Sequence, residues 1–325
     1  MRIENKLELL AAKYTPNILV IGDLMLDHYI FGSADRLSPE APVPVVNVKS
    51  ENKIIGGAAN VANNILSLGA KVSIVGVVGN DQDGDFIQHV FKEKQIDGQY
   101  ILKDTSRCTT IKTRILAANH QIARIDREDT HPINDDIAEN LLAQIYKYAQ
   151  EADIVIISDY NKGLLSNSFT QKILQYCNSI QKKVIVDPKG TDYSKYKLAY
   201  AIKPNRKELS EISLVKNINS LDKLKEAALK VFEITQAENL VVTLSEEGMV
   251  ILTPDSVKSL PVKATEVYDV TGAGDTVIAT MSYCLAIGFS LEEACEIANF
   301  AAAIVIKHVG SATTSIEEII ASIKG

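Results

Sequence analysis

The run Asp269-Val-Thr-Gly-Ala-Gly-Asp275 puts a carboxylate on each side of a glycine-rich turn, directly before an apolar stretch, Thr276 to Ile287, that ends in Gly288 and reads as a buried helix. Glycines at a helix start let a ligand approach the backbone, and the free amides of the first turn, with the helix dipole, favour negative charge. A phosphate alone would be poorly served by a carboxylate beside it. Phosphoryl transfer needs both: amides at Gly272, Ala273 and Gly274 for the spreading phosphoryl charge, and Asp275 to accept the proton of the attacking hydroxyl. The same residue types also suit a plain turn in which Asp275 complements the helix dipole, so this motif does not decide alone.

A second glycine cluster, Gly56-Gly57-Ala-Ala-Asn60-Val-Ala62, is followed by Gly69 and Gly79 at the spacing of a helix and a strand. Asn205-Arg-Lys-Glu208 spells a helix capping box as well as a polar ligand pair. Thr243, Ser245 and Gly248 follow a β-branched run, where open α/β sheets bind ligands. Lys162, Asp187 and Lys189 also sit just after such runs, as phosphate or magnesium contacts or as solvated turn charges.

The elements that must position these residues alternate. Ile18 to Ile21, Val72 to Val78, Ile154 to Ile157, Val184 to Val186 and Leu240 to Thr243 read as buried strands, several of them separated by amphipathic helical stretches. That pattern predicts a doubly wound, mostly parallel α/β sheet. Val43 to Val48 and Thr109 to Arg127 look strand-like without a crossover helix, and we expect them to form a small β-rich lid. Within it Ile111, Thr113 and Ile115 share one face, and Lys112 and Arg114 the other.

Composition narrows the partners. The chain has 325 residues, 46% hydrophobic, with a net charge of -7 and scattered basic residues, which leaves no footprint for nucleic acid or an anionic membrane. The four cysteines, Cys108, Cys177, Cys284 and Cys295, lie far apart, and the first residues carry charges where a secretion signal needs an apolar core. A reduced, cytoplasmic protein with a small-molecule partner is expected. Five histidines show no ligand spacing for a transition metal.

Taken together and in this order, the two glycine signatures resemble the paired signatures of the ribokinase-like (phosphofructokinase B type) carbohydrate kinases, over nearly the whole chain from Ile18 to Ser315. Thr280 stands where the second signature usually has Ala or Gly. Ile21-Gly-Asp-Leu-Met-Leu-Asp27-His-Tyr29, Arg36 to Pro44, Ser158-Asp-Tyr-Asn-Lys-Gly163 and Thr110 through Asp126 are similar to the heptose 7-phosphate kinase branch, with His120 where Gln is usual. The resemblance implies one ribokinase-like kinase domain over 1–325, with lid segments at about 28–55 and 105–128. It implies ATP-dependent phosphorylation of D-glycero-D-manno-heptose 7-phosphate at the anomeric hydroxyl, a step toward the ADP-heptose of the lipopolysaccharide core. Many members carry an adenylyltransferase domain after the kinase, and no HxGH-type motif is present, so a stand-alone kinase or an isolated half is expected.

Residue by residue, the resemblance makes Asp275 the base, with Gly272 to Gly274 as its anion hole. Asp27 grips sugar hydroxyls, with Gly56, Gly57 and Asn60 against the same sugar; read alone, Asp27 is equally a turn residue and Asn60 a helix cap. Asn205 and Glu208 match the Asn-x-x-Glu motif of the nucleotide site, whose Glu helps order magnesium through water; Thr243, Ser245 and Gly248 face the nucleotide, and Asn299 with Val305 to Gly310 resembles the adenine-side wall, the apolar members being more at home in a packed final helix. Asp269 and Thr271, with carbonyls near Val305, His308 and Gly310, fall at a monovalent-cation site, so potassium joins ATP and Mg2+ among the expected cofactors. For the substrate's own phosphate, which must lie far from the GAGD helix, Lys112, Arg114 and Arg124 are the candidates, Arg124 first for its RxD context; solvated strand charges are the alternative. A homodimer through the lids is also implied. Other acceptors of this class are ribose or fructose phosphate, and the rival class is a non-catalytic sugar or nucleotide sensor on the same fold.

Overall fold

The computed structural model of the chain describes residues 1–117, 120–262, 267–308 and 310–325. Its strands are β1 (Asn17–Gly22), β2 (Leu24–Leu37), β3 (Pro44–Gly57), β4 (Lys71–Gly79), β5 (Asp97–Asp104), β6 (Thr110–Ala117), β7 (His120–Arg127), β8 (Ile154–Ser158), β9 (Val184–Asp187), β10 (Ala201–Ile202), β11 (Asn239–Thr243), β12 (Met249–Leu252) and β13 (Val257–Leu260). They form a nine-stranded sheet in the order β13-β12-β11-β10-β9-β8-β1-β4-β5 and a four-stranded sheet in the order β3-β2-β6-β7. The large sheet is parallel from β5 to β11, and β12 and β13 turn back antiparallel at its edge.

The β-branched runs become central strands because both of their faces are covered. In β1, Ile18 and Val20 enter one apolar core and Leu19 and Ile21 the other; in β8, Ile154 and Ile156 divide from Val155 and Ile157 in the same way. The helices Ala58–Ser67, Ala273–Ala286 and Leu291–Val305 lie on the first face, and Asp135–Glu151, Asn167–Ser179 and Leu221–Thr235 on the second. Among the described residues no helix is long and apolar enough to cross a membrane.

From β1 the sheet runs to β4 and β5 on one side and to β8 and its successors on the other, so β1 and β8 part at a topological switch point. Two buried carboxylates build the loop there. Asp23, just after β1, accepts the amides of Tyr160 (2.8 Å) and Lys162 (3.2 Å). Asp159, just after β8, accepts the Lys195 ammonium (2.5 Å), the Tyr196 hydroxyl (2.7 Å) and the Asn161 amide (2.6 Å). Burial, with the neighbouring charge of Asp159, pushes the Asp23 carboxyl up to about 6.

The smaller sheet grows out of the same point, because β2 begins two residues after β1 ends. Cross-strand partners Asp27 and Lys112, Tyr29 and Arg114, Arg114 and Arg124, and Lys112 and Asp126 lie on one face of it. Ile111, Thr113 and Ile115 point to the other, with Ile111 buried. Asn119, part of the branch-like stretch, lies outside the described residues.

Replacing Lys195 by Met would leave Asp159 buried without its cationic partner, and we expect a loss of about 3 to 5 kcal/mol of unfolding free energy in urea titrations. A loss below about 1 kcal/mol, the range of an exposed pair, would show that this contact does not hold the switch-point loop.

Candidate active site

The helix Ala273–Ala286 is buried on every side from Thr276 to Leu285, which fits its uniformly apolar sequence. Its N-cap, Gly272, has φ 79°, a left-handed conformation that glycine adopts without strain. Gly272 and Gly274 line a cleft, whereas the amide of Ala273 donates to the Val270 carbonyl at 3.2 Å. The amides that can serve an anion here are therefore narrower than the expected run of three.

Asp275 lies in the first turn, only 6% exposed. Tyr160 donates its hydroxyl to Oδ1 at 2.6 Å, and Asn60 donates Nδ2 to Oδ2 at 2.7 Å. Asn60 is no helix cap: Gly57 is the N-cap of Ala58–Ser67, and Asn60 sits inside that helix. Its amide is oriented by a relay in which the Thr276 hydroxyl donates to Asn64 Oδ1 (2.8 Å) and Asn64 Nδ2 donates to Asn60 Oδ1 (3.4 Å) as well as to the Asn60 backbone carbonyl (2.9 Å). Burial pushes the Asp275 carboxyl above its ordinary range, while the bonds from Tyr160 and Asn60 and the charge of Lys203 pull it back.

The cleft, of about 280 Å³, is polar. On its wall Lys203, 4% exposed, pairs with Asp187 at 3.0 Å. Burial raises Asp187 to about 6 despite that partner. Lys189 pairs with Glu208 at 2.7 Å, and Asn205 and Glu208 close the capping box that their spacing spells. Capping and ligand roles are thus compatible, because both residues also line the cleft.

Thr243 and Gly274 are shared with a second cavity, of about 310 Å³, whose wall is mostly apolar: Met249, Val270, Val277, Ala302 and Ile306, with Ser245, Gly248 and Asn299 at its polar margin. Asn299 is held by donating to the Leu260 carbonyl at 3.0 Å. Gly248 has φ 91°, and a Cβ there would meet the Leu260 carbonyl at 2.3 Å.

On the opposite side Asp27 is buried inside β2, not in a turn, and pairs with Arg114, whose guanidinium lies 5.4 Å from the centre of the Tyr29 ring. Asp27 is near enough for its charge to raise the Asp275 carboxyl. Gly56 and Gly57 end β3 beside it, paired with Met25 and Leu24. Lys112 lies 3.4 Å from Asp126 and 3.7 Å from Glu128, and Arg124, 51% exposed, makes two bonds to Asp126 (2.9 and 3.0 Å). Asp269 accepts the amide and hydroxyl of Thr271 (2.9 and 2.7 Å) and the Gly310 amide (2.8 Å). Burial would raise its carboxyl, but these bonds and the Arg114 charge outweigh it and hold it below the usual range. Val305 and His308 are joined to each other through a backbone bond at 3.0 Å, and Val309 lies outside the described residues. Among the described residues no cluster of His, Cys, Asp and Glu forms a metal cage.

The sequence reading missed Tyr160 and Lys203 as site residues. Their signal was position: Lys203 directly follows β10, and Tyr160 comes two residues after β8 inside the Ser158–Gly163 stretch.

A groove that is polar where a triphosphate would lie and apolar where a base would, and that opens at its polar end onto a carboxylate, suits transfer of a phosphoryl group to an alcohol. The chain belongs to the pfkB family of carbohydrate kinases, whose model matches residues 15–319. Curated relatives include bifunctional protein HldE of Helicobacter pylori strain G27, 51% identical over 93% of this chain, and that of Helicobacter hepaticus, 46% identical over 94%. The chain spans 65% and 63% of those relatives' lengths. The fold is ribokinase-like: Arabidopsis thaliana ribokinase complexed with ribose and ATP superposes with a TM-score of 0.77 at 20% identity, covering 96% of this chain and all of that one. Escherichia coli phosphofructokinase-2 in complex with potassium gives 0.77 at 19%, with the same coverage.

Replacing Gly248 by Ala should displace the wall of the apolar cavity. We expect a loss of about 1 to 3 kcal/mol of stability and, by calorimetry, weaker ATP binding. Wild-type stability and ATP affinity together would show that the turn at Gly248 does not shape the nucleotide site.

Proposed function

We propose that the chain transfers the γ-phosphoryl of ATP to the anomeric hydroxyl of D-glycero-D-manno-heptose 7-phosphate, giving the 1,7-bisphosphate used toward ADP-heptose and the lipopolysaccharide core. The observation that carries the chemistry is the placement of Asp275: a buried carboxylate at a helix start, fixed by a donor on each oxygen, beside the groove. The heptose assignment is supported by the branch-like motifs around Asp27, Ser158–Gly163 and Thr110–Asp126, and by the similarity to the HldE proteins.

In this mechanism Asp27, with Gly56, Gly57 and Asn60 nearby, binds the sugar so that its anomeric hydroxyl faces Asp275, which takes the proton as the oxygen attacks phosphorus. The amides of Gly272 and Gly274 and the Lys203 ammonium face the phosphoryl oxygens and stabilise the charge that spreads onto them. Thr243, Ser245, Gly248 and Asn299 border the nucleotide. Glu208 and Asp187 supply hard carboxylate oxygens that suit a hydrated Mg2+, with Asn205 fixing Glu208; the ion, when bound, neutralises triphosphate charge. Arg114 and Arg124, cross-strand neighbours, and Lys112 supply the positive charge for the 7-phosphate. A potassium ion beside Asp269 and Thr271, and a homodimer through the four-stranded sheet, complete the proposal. The exposed Phe31, Val48, Ile122 and Ile125 of that sheet support the dimer.

The test is ADP release with a panel of acceptors, in which heptose 7-phosphate should exceed ribose and fructose 6-phosphate by at least about tenfold in kcat/KM. Preference for an unphosphorylated sugar would overturn the heptose assignment. In Asp275→Asn, turnover should fall by about a hundred to ten-thousandfold with ATP binding retained, and near-normal turnover would remove Asp275 as the base. In Arg124→Ala, the KM for heptose 7-phosphate should rise by about ten to a hundredfold while the KM for ATP stays put; an unchanged sugar KM would exclude Arg124 as the phosphate anchor.

A further inference from the structure

We infer that Tyr160 is a positioning residue for phosphoryl transfer: its hydroxyl fixes the rotation of the Asp275 carboxylate and sets the pH at which that carboxylate can accept a proton. This rests on the reading of Asp275 as the base. Three observations carry it. The hydroxyl donates to Asp275 Oδ1 at 2.6 Å, the ring lines the same cleft as Gly272 and Gly274, and the backbone of Tyr160 is pinned where the sheet changes direction. The pinning is heavy for a loop. Asp23 receives the Tyr160 and Lys162 amides, Asp159 is held by Lys195 and Tyr196, and Asn161 takes φ 58° to donate back to Asp159.

A carboxylate has about four lone-pair directions. Asn60 takes one on Oδ2 and Tyr160 one on Oδ1, so the carboxylate cannot rotate, and its remaining lone pairs keep a fixed direction for the incoming hydroxyl. Burial and the charge of Asp275 hold the Tyr160 phenol well above its ordinary range, so it stays a donor and never competes as a base. The other charged groups around the pair are Lys203, which favours the ionised carboxylate, and Asp27 and Asp187, which disfavour it; Asp27 is offset by Arg114, and Asp187 by Lys203 itself. Tyr160 is thus the hydroxyl donor in a set whose charges partly cancel, and removing it should raise the proton affinity of Asp275.

The sign follows directly. Turnover needs Asp275 ionised, so activity is lost as pH falls through its pKa in the enzyme–substrate complex. In Tyr160→Phe, which keeps the ring, the acid limb of the kcat profile should move to higher pH. The kcat on the plateau should fall by about ten to a hundredfold, with the KM for ATP within about twofold. Site-specific replacement of Tyr160 by 3-fluorotyrosine, a stronger donor of nearly the same shape, should move the limb the other way, and it serves if the Phe variant does not fold. Opposite displacements in the two variants support the inference. A limb unmoved in either folded variant overturns it, whatever happens to kcat, because a merely structural tyrosine would lower activity without changing the titration. Asp275→Asn, assayed alongside, separates the two readings: if it loses turnover while the limb stays unmoved, only Tyr160 is dismissed, and if it keeps turnover, the base and its positioning residue are dismissed together.

Discussion

A carboxylate that is to take a proton beside a triphosphate, as we propose for Asp275, faces opposed demands, and the rest of this structure follows from how they are met. It has to be dry enough to be a useful base, yet burial disfavours its charged form, and the phosphates it serves disfavour that form further. Asp275 is buried at the start of an apolar helix, where the dipole and free amides offset part of this cost. Asn60, Tyr160 and Lys203 offset more, and each comes from a different element: a helix packed on the sheet, the loop after β8 and the turn after β10. The site therefore exists only once the sheet has closed around it.

The switch point is what makes that convergence possible. Where β1 and β8 part, Asp23 and Asp159 use their oxygens to pin a loop, and Tyr160 is carried on that loop. From the same strand end β2 runs straight out into the four-stranded sheet, which brings Asp27 and Arg114 over the site. The groove proposed for the nucleotide approaches from the other side, its polar and apolar limbs joined at Thr243 and Gly274. In the proposed mechanism nucleotide and acceptor thus reach Asp275 from opposite walls of one crevice.

Much of this was legible in the residues. Runs such as Ile18 to Ile21 and Ile154 to Ile157 read as strands covered on both faces, and the glycine turn before Asp275 announces a helix start. The Lys112 and Arg114 face of the lid followed from alternation alone. Other parts were hidden for physical reasons. Tyr160 is an ordinary tyrosine until the fold places its hydroxyl on Asp275 from 115 positions away in sequence. Lys203 carries no motif of its own and stands out only once the fold sets it against Asp187 and the Gly274 turn. Asn60 reads as a cap because capping is local, whereas its actual bond is to a residue 215 positions on. The antiparallel edge of β12 and β13 was missed because these strands are four residues each, too short for a clear alternation.

The central claim is that Asp275 faces the acceptor hydroxyl while the backbone at Gly272 and Gly274 faces the phosphoryl group in flight. Its most direct measurement is a crystal structure of the enzyme with ADP, magnesium, aluminium fluoride and the acceptor sugar phosphate, in which the planar fluoride stands for the transferring phosphoryl group. The account predicts that the fluoride lies against the amides of Gly272 and Gly274, with the acceptor's anomeric oxygen within hydrogen-bond reach of Asp275. An acceptor oxygen in line with the fluoride but beyond reach of Asp275, or a fluoride bound away from that helix start, would contradict it.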